Sequence, residues 1–275
     1  MRAKFIIAPI WLVLILLTCS CGIPSAPKPL LRAHAHNDYE HDRPLLDALD
    51  HGFTSVEADI HLVDGDLFVA HNSVEINPER TLRSLYLEPL SRRIARNGGR
   101  VYPNGPQFTL FIDIKTEAVA TYNVLSEMLA EYKSIFTTFD SNGRTDKAVI
   151  AVVSGNRPRK LMESQKIRYA GCDGRLEDLE SDATAMLIPV ISDNWTRHFL
   201  YNGNRPMPAE ERQKLKKIVE TAHQKGQRVR FWATPDKPSP ARQTLWLELL
   251  SNGVDLLNTD DLSGLQQFLL QNAPK

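Results

Sequence analysis

Eight short apolar runs, most of them separated by amphipathic stretches, constrain the fold of this chain more than any other feature. Alternating strand and helix patterns are typical of a parallel sheet with crossover helices, because each helix returns the chain to the start of the next strand. Eight such units predict a single (β/α)8 TIM barrel of the α/β class. The predicted strands are Leu30–His36, Thr54–His61, Phe108–Lys115, Ala148–Val153, Ile167–Cys172, Leu187–Ser192, Arg228–Ala233 and Val254–Thr259.

The connections between these strands are mostly predicted helices. The second strand is the exception, because a Val-Asp-Gly turn leads directly into Asp66–Ala70 and predicts an extra hairpin arm. Residues 72–107 form the longest connection, and their prolines and glycines predict a part-helical flap over one end of the barrel. After the fifth strand only residues 176–179 have a helical pattern. The predicted helices are Arg43–His51, Ala118–Tyr132, Arg157–Lys166, Ala209–Lys225, Arg242–Ser251 and Leu262–Gln271.

The first 21 residues have the pattern of a secretory signal peptide. A basic start is followed by an apolar run from Phe5 to Leu17, which is too short for a comfortable membrane span. Residues 22–29 are a predicted linker, and residues 30–275 are the predicted barrel domain. This organisation predicts an exported protein.

Two cysteines follow the apolar run and indicate a bacterial lipoprotein cleavage site. Cys21, which follows the small residue Ser20, is the preferred lipidated residue, and Cys19 is the alternative. We therefore expect membrane association through an amino-terminal lipid anchor in a bacterial envelope, or otherwise secretion. Cys172 alone lies in the barrel domain, so no internal disulfide is expected.

Alternation along the predicted strands decides which side chains meet inside the barrel. Side chains two residues apart share a face of a strand, and the apolar set should face the helices. The remaining set then converges at the carboxyl ends of the strands, where barrel active sites lie. The inward residues are His34 and His36, Glu57 and Asp59, Asp113 and Lys115, and Arg230 and Trp232.

Three carboxylates, Glu57, Asp59 and Asp113, are predicted to lie close together inside the barrel. Buried charges are costly unless they are paired or bind a metal. Oxygen ligands favour one divalent cation, Mg²⁺ or Ca²⁺, over zinc. The alternative is an internal ion-pair network with Lys115 and Arg230.

Two histidines flank this acidic group in the sequence. His36 ends the first strand, and His71 ends the hairpin arm. Histidine suits both the base and the acid of a phosphodiester cleavage, because its ordinary pKa lies near neutrality. The 33 basic and 33 acidic residues of the chain balance, and this gives no reason to expect nucleic acid as a partner.

The order of these residues resembles the PLC-like phosphodiesterase barrel superfamily over nearly the whole barrel domain. That superfamily includes glycerophosphodiester phosphodiesterases, phosphatidylinositol-specific phospholipases C and sphingomyelinase D-type enzymes. The stretch His36-Asn37-Asp38-Tyr39 is most similar to the "altered inheritance of mitochondria protein 6"-like branch. The shared pattern is His36, Glu57-x-Asp59, His71, Asp113-x-Lys115, Phe231-Trp232-Ala233-Thr234 and Asn258-Thr259-Asp260.

The resemblance implies a metal-dependent phosphoric diester hydrolase that acts on a glycerophosphodiester, a phospholipid or a related small-molecule or lipid diester. Two departures shift the expectation away from a standard glycerophosphodiester: Asn37 and Asp38 replace the usual Arg-Gly, and Asp113 replaces a frequent glutamate. The implied roles are His36 and His71 as acid and base, Glu57, Asp59 and Asp113 as metal ligands, and Lys115 and Trp232 as substrate contacts.

Two other functions remain open at this point. His34 and His36 form a His-x-His pair at the end of a first strand, which also begins the zinc site of amidohydrolase-like metallohydrolases, with Asp260 ending the last strand. That class needs further histidines at the ends of middle strands, and the fifth and sixth strands end without one. A non-catalytic surface-binding lipoprotein on the same barrel is the other alternative.

Overall fold

The computed structural model describes residues 27–272 and contains eleven strands. Eight of them are parallel and form a closed ring in the order β1, β2, β4, β7, β8, β9, β10, β11, with β1 paired to both β2 and β11. This closure confirms the predicted TIM barrel. The strands are β1 (Leu30–Ala35), β2 (Phe53–Val63), β3 (Asp66–Val69), β4 (Phe108–Ile114), β5 (Thr138–Asp140), β6 (Gly143–Thr145), β7 (Val149–Gly155), β8 (Ala170–Gly174), β9 (Val190–Asn194), β10 (Arg228–Trp232) and β11 (Leu256–Thr259).

The extra strand β3 lies outside the ring and pairs antiparallel with the end of β2, which confirms the predicted hairpin arm. The turn between them uses Asp64 at φ 49° and Gly65 at φ 86°. Two consecutive residues with positive φ are typical of the tight turns that match the twist of paired strands. The arm ends next to His71 and so carries this histidine to the carboxyl end of the barrel.

Helices connect most of the strands on the outside of the ring, as the sequence predicts. The fifth connection is the exception, because only the 3-10 turn Leu176–Glu180 precedes β9. The helices are α1 (Leu46–Asp50), α2 (Glu88–Arg96), α3 (Ala118–Glu131), α4 (Arg159–Ser164), α5 (Trp195–His198), α6 (Ala209–Gln224), α7 (Pro240–Ser251) and α8 (Leu262–Asn272).

Residues 72–107 are part-helical, as predicted, but they do not form a flap over one end of the barrel. Arg80 donates a hydrogen bond to Tyr39 O near the carboxyl ends of the strands, whereas the Tyr102 hydroxyl donates to Phe53 O at the start of β2. The segment therefore runs down the side of the barrel, and α2 takes the place of the crossover helix between β2 and β4. The fully buried Leu87 and Leu90 explain this position, because they pack in the main core.

The interior of the barrel changes from apolar to polar toward the carboxyl ends of the strands. On β4 the buried Phe111 is followed on the same face by Asp113, and on β7 Val152 is followed by Ser154. A small apolar cluster that includes Phe111, Val152 and Leu256 lies inside the barrel on the amino-terminal side of these polar residues. The polar residues of the candidate site thus share the carboxyl end of a packed barrel.

The predictions for the amino terminus lie outside the described residues. They concern the signal peptide at residues 1–21, Cys19 and Cys21, and most of the linker. Between residues 27 and 272, no helix is long and apolar enough to cross a membrane. Cys172 is a buried free thiol.

Candidate functional site

Three carboxylates meet at the carboxyl end of the barrel. Glu57 and Asp59 lie two residues apart on β2, and Asp59 is the register partner of Asp113 on β4. One oxygen from each side chain lies within 4.8 Å of the others, which is close enough for all three to hold a metal ion. The alternation inferred from sequence therefore brings all three predicted ligands together.

Two cations pair with these three carboxylates. Arg230 Nη2 lies 2.5 Å from Glu57 Oε2, and Lys115 Nζ lies 2.9 Å from Asp59 Oδ2 and 3.0 Å from Asp113 Oδ1. The ion-pair network considered as an alternative is therefore present. The two cations balance only two of the three carboxylate charges, however, so the network has a net charge of −1 when the histidines are neutral.

An unpaired oxygen favours a cation in addition to these ion pairs. Asp59 Oδ1 is buried and has no hydrogen-bond partner among residues 27–272. A buried charged acceptor without a partner is unfavourable, and a metal ion would satisfy it. The residues present therefore fit a bound divalent cation.

The pKa values of the carboxyl groups reflect this crowding. Burial, followed by the nearby charge of Glu57, raises the pKa of Asp113 to about 6. Burial also acts to raise the pKa of Glu57, but the charge of Arg230 and the contact with His34 hold it well below its ordinary value. Glu57 is thus firmly ionised, whereas Asp113 carries its charge less readily.

Gly155 makes room for Asp113. This residue ends β7 next to Asp113 and has φ +64°, a conformation that favours glycine. A Cβ atom at this position would overlap Asp113 Oδ1 and Ile114 O. Any larger residue would therefore displace the third carboxylate.

The two predicted proton carriers are each held through Nδ1. His36 Nδ1 lies 2.8 Å from Asp260 Oδ1, and His71 Nδ1 lies 2.9 Å from Asp59 Oδ2. Burial acts to lower the pKa of His36, but the hydrogen bond to Asp260 and the charge of Glu57 outweigh it and raise the pKa. The side chains are 28% and 52% exposed respectively, so a substrate can reach both rings.

Tyr39 is a site residue that the sequence reasoning missed. Its hydroxyl lies 2.7 Å from Asp59 Oδ2, 2.9 Å from Asn37 Oδ1 and 3.1 Å from His71 Nδ1. Burial and the charge of Asp59 raise the pKa of Tyr39 far above its ordinary value, so the hydroxyl remains a donor. The His-Asn-Asp-Tyr stretch that carried the family resemblance was the available signal.

His34 does not have the free nitrogen that a zinc site needs. Its Nδ1 lies 2.7 Å from Ser55 Oγ, and its Nε2 lies 3.3 Å from Glu57 Oε2. Burial, followed by the charge of Arg230, lowers the pKa of His34 to about 3 and keeps the ring neutral. Among the described residues the candidate metal group contains carboxylates alone, so the geometry favours an oxygen-ligand site over the amidohydrolase-like one.

A cavity of 270 Å³ opens at this end of the barrel. It brings together six of the seven predicted site residues, and Asp59 lies beneath them at 1% exposure. The sequence reasoning assigned no role to the polar residues of β7 and β8 that line the same cavity. The lining residues are His36, Asn37, Glu57, His71, Asp113, Lys115, Ser154, Asp173, Arg175, Arg230 and Trp232.

Comparison with known families matches residues 27–171 to the AIM6-like phosphodiesterase domain. The chain is 33% identical to Altered inheritance of mitochondria protein 6 of Eremothecium gossypii, over 87% of this chain and 69% of that protein. It is 28% identical to the homolog of that protein in Arthroderma benhamiae, over 86% and 82%. The Saccharomyces cerevisiae protein of the same name is 28% identical, over 83% and 68%.

These relatives correct the predicted location. They are yeast and other fungal proteins whose name refers to the inheritance of mitochondria. The prediction of an exported protein anchored in a bacterial envelope is therefore wrong. Its basis was a short amino-terminal pattern of apolar residues and cysteines, which is far less specific than similarity along most of the chain.

Proposed function

The chain belongs to the AIM6-like phosphodiesterase family, and we propose that it is a metal-dependent phosphoric diester hydrolase. One observation carries the proposal. A cluster of three carboxylates with a buried unpaired oxygen lies between two histidines, each of which is held through Nδ1 by a carboxylate. The proposed substrate is a glycerophosphodiester, a phospholipid or a related small-molecule or lipid diester.

Glu57, Asp59 and Asp113 are the proposed ligands of one divalent cation. Their donor atoms are all oxygens, which favours Mg²⁺ or Ca²⁺. When bound, such a cation polarises the phosphoryl group and offsets the charge that develops during displacement. Arg230 orients Glu57, and Lys115 bridges Asp59 and Asp113, so the ligands are held in position before a substrate arrives.

His36 and His71 are the proposed proton carriers. Cleavage of a phosphodiester needs a base for the attacking hydroxyl or water and an acid for the leaving oxygen. Each ring uses Nδ1 for a carboxylate, and within residues 27–272 neither Nε2 has a hydrogen-bond partner. Both rings line the same cavity, so each Nε2 is available to exchange a proton with a bound diester.

Lys115 and Trp232 are the proposed substrate contacts. Both line the cavity, and the Lys115 ammonium is partly exposed there while it pairs with two carboxylates. A positive point charge at this position can attract an anionic phosphate oxygen. Trp232 ends β10 and presents an apolar surface that can pack against the alcohol part of a diester.

The test is hydrolysis of bis(p-nitrophenyl) phosphate by the purified protein, first in EDTA and then with Mg²⁺, Ca²⁺ or Zn²⁺ restored. We expect EDTA to abolish turnover and Mg²⁺ or Ca²⁺ to restore it. Asp59→Asn should not recover at the same metal concentration, because it removes a ligand charge. Turnover that persists in EDTA, or in the variant, would contradict the metal site.

A matched control comes from the opposite end of the barrel. Asp255 precedes β11 and pairs with His223 at 2.8 Å, as Asp260 does with His36. Asp255→Asn should therefore keep the response to EDTA and to added metal.

Recovery with Zn²⁺ alone would favour a zinc site at His34 and His36 instead.

A further inference from the structure

The two carboxylate oxygens of Asp59 have opposite surroundings. Within residues 27–272, Oδ2 has three donors, which are the Tyr39 hydroxyl at 2.7 Å, His71 Nδ1 at 2.9 Å and Lys115 Nζ at 2.9 Å. Oδ1 is buried and has no partner in the same part of the chain. A carboxylate oxygen offers about two lone-pair sites, so Oδ2 is saturated and Oδ1 is the oxygen left for a cation.

Tyr39 differs from the other two donors because it does not line the cavity of the site. His71 and Lys115 line that cavity, whereas the buried Tyr39 is only 4% exposed. During a turnover His71 would exchange a proton and Lys115 would contact phosphate, so both have a second task. Tyr39 is therefore the donor that can stay on Asp59 Oδ2 throughout the reaction.

The proton of the Tyr39 hydroxyl belongs to Asp59. A phenol has one proton to donate, and Asp59 Oδ2 is both the nearest of its acceptors and a charged one. The hydroxyl oxygen is then an acceptor for His71 Nδ1, which lies 3.1 Å away. Nδ1 thus faces two acceptors, so it carries a proton and leaves Nε2 for the cavity.

The backbone around Tyr39 is held in place from several sides. Asn37 has φ 46° and ψ 37°, a left-handed conformation that asparagine adopts more readily than most residues. Asp38 Oδ2 accepts a hydrogen bond from the Tyr86 hydroxyl at 2.8 Å. Arg80 donates a hydrogen bond to Tyr39 O. The hydroxyl is therefore in position before a cation or a substrate arrives.

We propose that Tyr39 is a positioning residue that holds Asp59 for metal binding and His71 for proton transfer. Its proton keeps Asp59 turned so that Oδ1 faces the cation, and its oxygen keeps the His71 ring turned so that Nε2 faces the cavity. This inference rests on the proposed function, and it adds a residue that touches neither the cation nor the substrate. Partners behind a metal ligand typically contribute roughly 10–100-fold to metal affinity or activity.

The test is Tyr39→Phe, which keeps the ring and removes only the hydroxyl. Titration calorimetry should show an affinity for Mg²⁺ or Ca²⁺ that is at least ~10-fold weaker than that of the wild type. At saturating metal, kcat for bis(p-nitrophenyl) phosphate should still fall by at least ~10-fold because His71 is less well oriented, while KM changes by less than about threefold. A smaller loss in either quantity, or a loss confined to KM, would overturn the inference.

Tyr102→Phe is the matched control. Tyr102 is 1% exposed, and its hydroxyl donates to Phe53 O at the start of β2, at the opposite end of the barrel. This variant also loses a buried hydrogen bond, so it should melt at a lower temperature and keep the metal affinity and kcat of the wild type. Equal losses of metal affinity in the two variants would indicate a general effect of stability and would overturn the positioning role.

A measurement on the wild type keeps the inference testable if Tyr39→Phe fails to fold, as judged by circular dichroism. The Tyr39 hydroxyl proton should give an NMR signal that exchanges slowly with solvent, because the hydroxyl is buried and bonded. The signal should shift when Mg²⁺ or Ca²⁺ is added, since a cation on Oδ1 draws charge away from Oδ2. A signal that exchanges freely or does not shift would count against the inference.

Metal binding separates failure of this inference from failure of the proposed function. A wild type that binds Mg²⁺ or Ca²⁺ but hydrolyses no diester would contradict the hydrolase, and weaker binding by Tyr39→Phe would then still support the positioning of Asp59. Turnover and metal binding that Tyr39→Phe leaves unchanged would overturn the inference and leave the hydrolase. A wild type that binds neither cation would overturn both.

Discussion

The two proposed proton carriers depend on different carboxylates. His36 is held by Asp260, which lies outside the metal cluster, whereas His71 is held by Asp59, which is one of the proposed ligands. A change at Asp59 therefore disturbs the cation and one histidine together. A change at His36 should leave the metal ligands intact, since His36 contacts none of them directly.

We expect His36→Ala and His71→Ala each to lower kcat/KM for an aryl phosphodiester by at least ~100-fold, the usual scale for the loss of an acid or base. Folding should be retained, because both rings are partly exposed. His223→Ala is the control, since His223 forms the same kind of pair with Asp255 far from the cavity. Steady-state kinetics and melting curves check this, and wild-type turnover in either site variant would contradict the assignment.

At the scale of elements, the alternation of β2 and β4 was enough to predict the acidic cluster. Glu57 and Asp59 share a face of β2, and the parallel register sets Asp59 beside Asp113. The ends of the strands were less accurate: Ile167–Cys172 was predicted where β8 spans Ala170–Gly174, and the polar face of Asp173 was overlooked. Only the 3-10 turn Leu176–Glu180 follows β8, so little helical signal marked where this strand ends.

Other contacts could not be predicted from the order of the residues. Arg230 reaches Glu57 across the barrel, and Asp260 reaches His36 from the last strand to the first, so both contacts require the closed ring. The hairpin of β5 and β6 was missed because each strand has only three residues. Such short strands give no periodic pattern for a sequence reading to detect.

A prediction at this scale concerns the end of β7. Gly155→Ala places a Cβ atom against Asp113 Oδ1 and also strains a backbone at φ +64°. We expect a loss of about 1 kcal/mol of stability from the strained backbone and a fall of at least ~10-fold in affinity for Mg²⁺ or Ca²⁺ because a ligand is displaced. Titration calorimetry and thermal melting measure the two effects.

Gly65→Ala in the turn before β3 separates backbone strain from the loss of the ligand. Gly65 has φ +86°, and nothing lies within 4 Å of a Cβ atom at this position. This variant should lose a similar amount of stability and keep the metal affinity of the wild type. Equal metal affinities in the two variants would argue against Asp113 as a ligand.

At the scale of the whole molecule, the clustered carboxylates lie at the carboxyl end of the barrel, next to an apolar interior layer that includes Phe111. His34 lies at the boundary, fully buried beneath the carboxylates and packed edge-on against Phe111 with 5.0 Å between the ring centroids. A neutral histidine at this position can bond Ser55 and Glu57, whereas a second proton there would be poorly solvated. The stability of the barrel should therefore depend on pH through this residue.

The pKa of His34 falls from 6.5 to about 3 on folding, because burial and then Arg230 disfavour the charged ring. The unfolded chain therefore binds this proton more readily than the folded barrel does. The stability that the barrel has with a neutral His34 is fully present above pH 6.5 and is lost progressively as the pH falls toward 3. At pH 5 the loss is about 2 kcal/mol. The pKa of Asp113 is instead raised to about 6, so protonation of this carboxyl group favours the folded barrel as the pH falls through part of the same range.

Comparing variants isolates the contribution of His34. Urea unfolding in EDTA at pH 7 and pH 5 should show that the stability difference between the wild type and His34→Gln shrinks by about 2 kcal/mol at the lower pH. The contribution of Asp113 is common to both proteins and cancels in the difference. A constant difference between the wild type and His34→Gln would mean that His34 is not held neutral in the folded barrel.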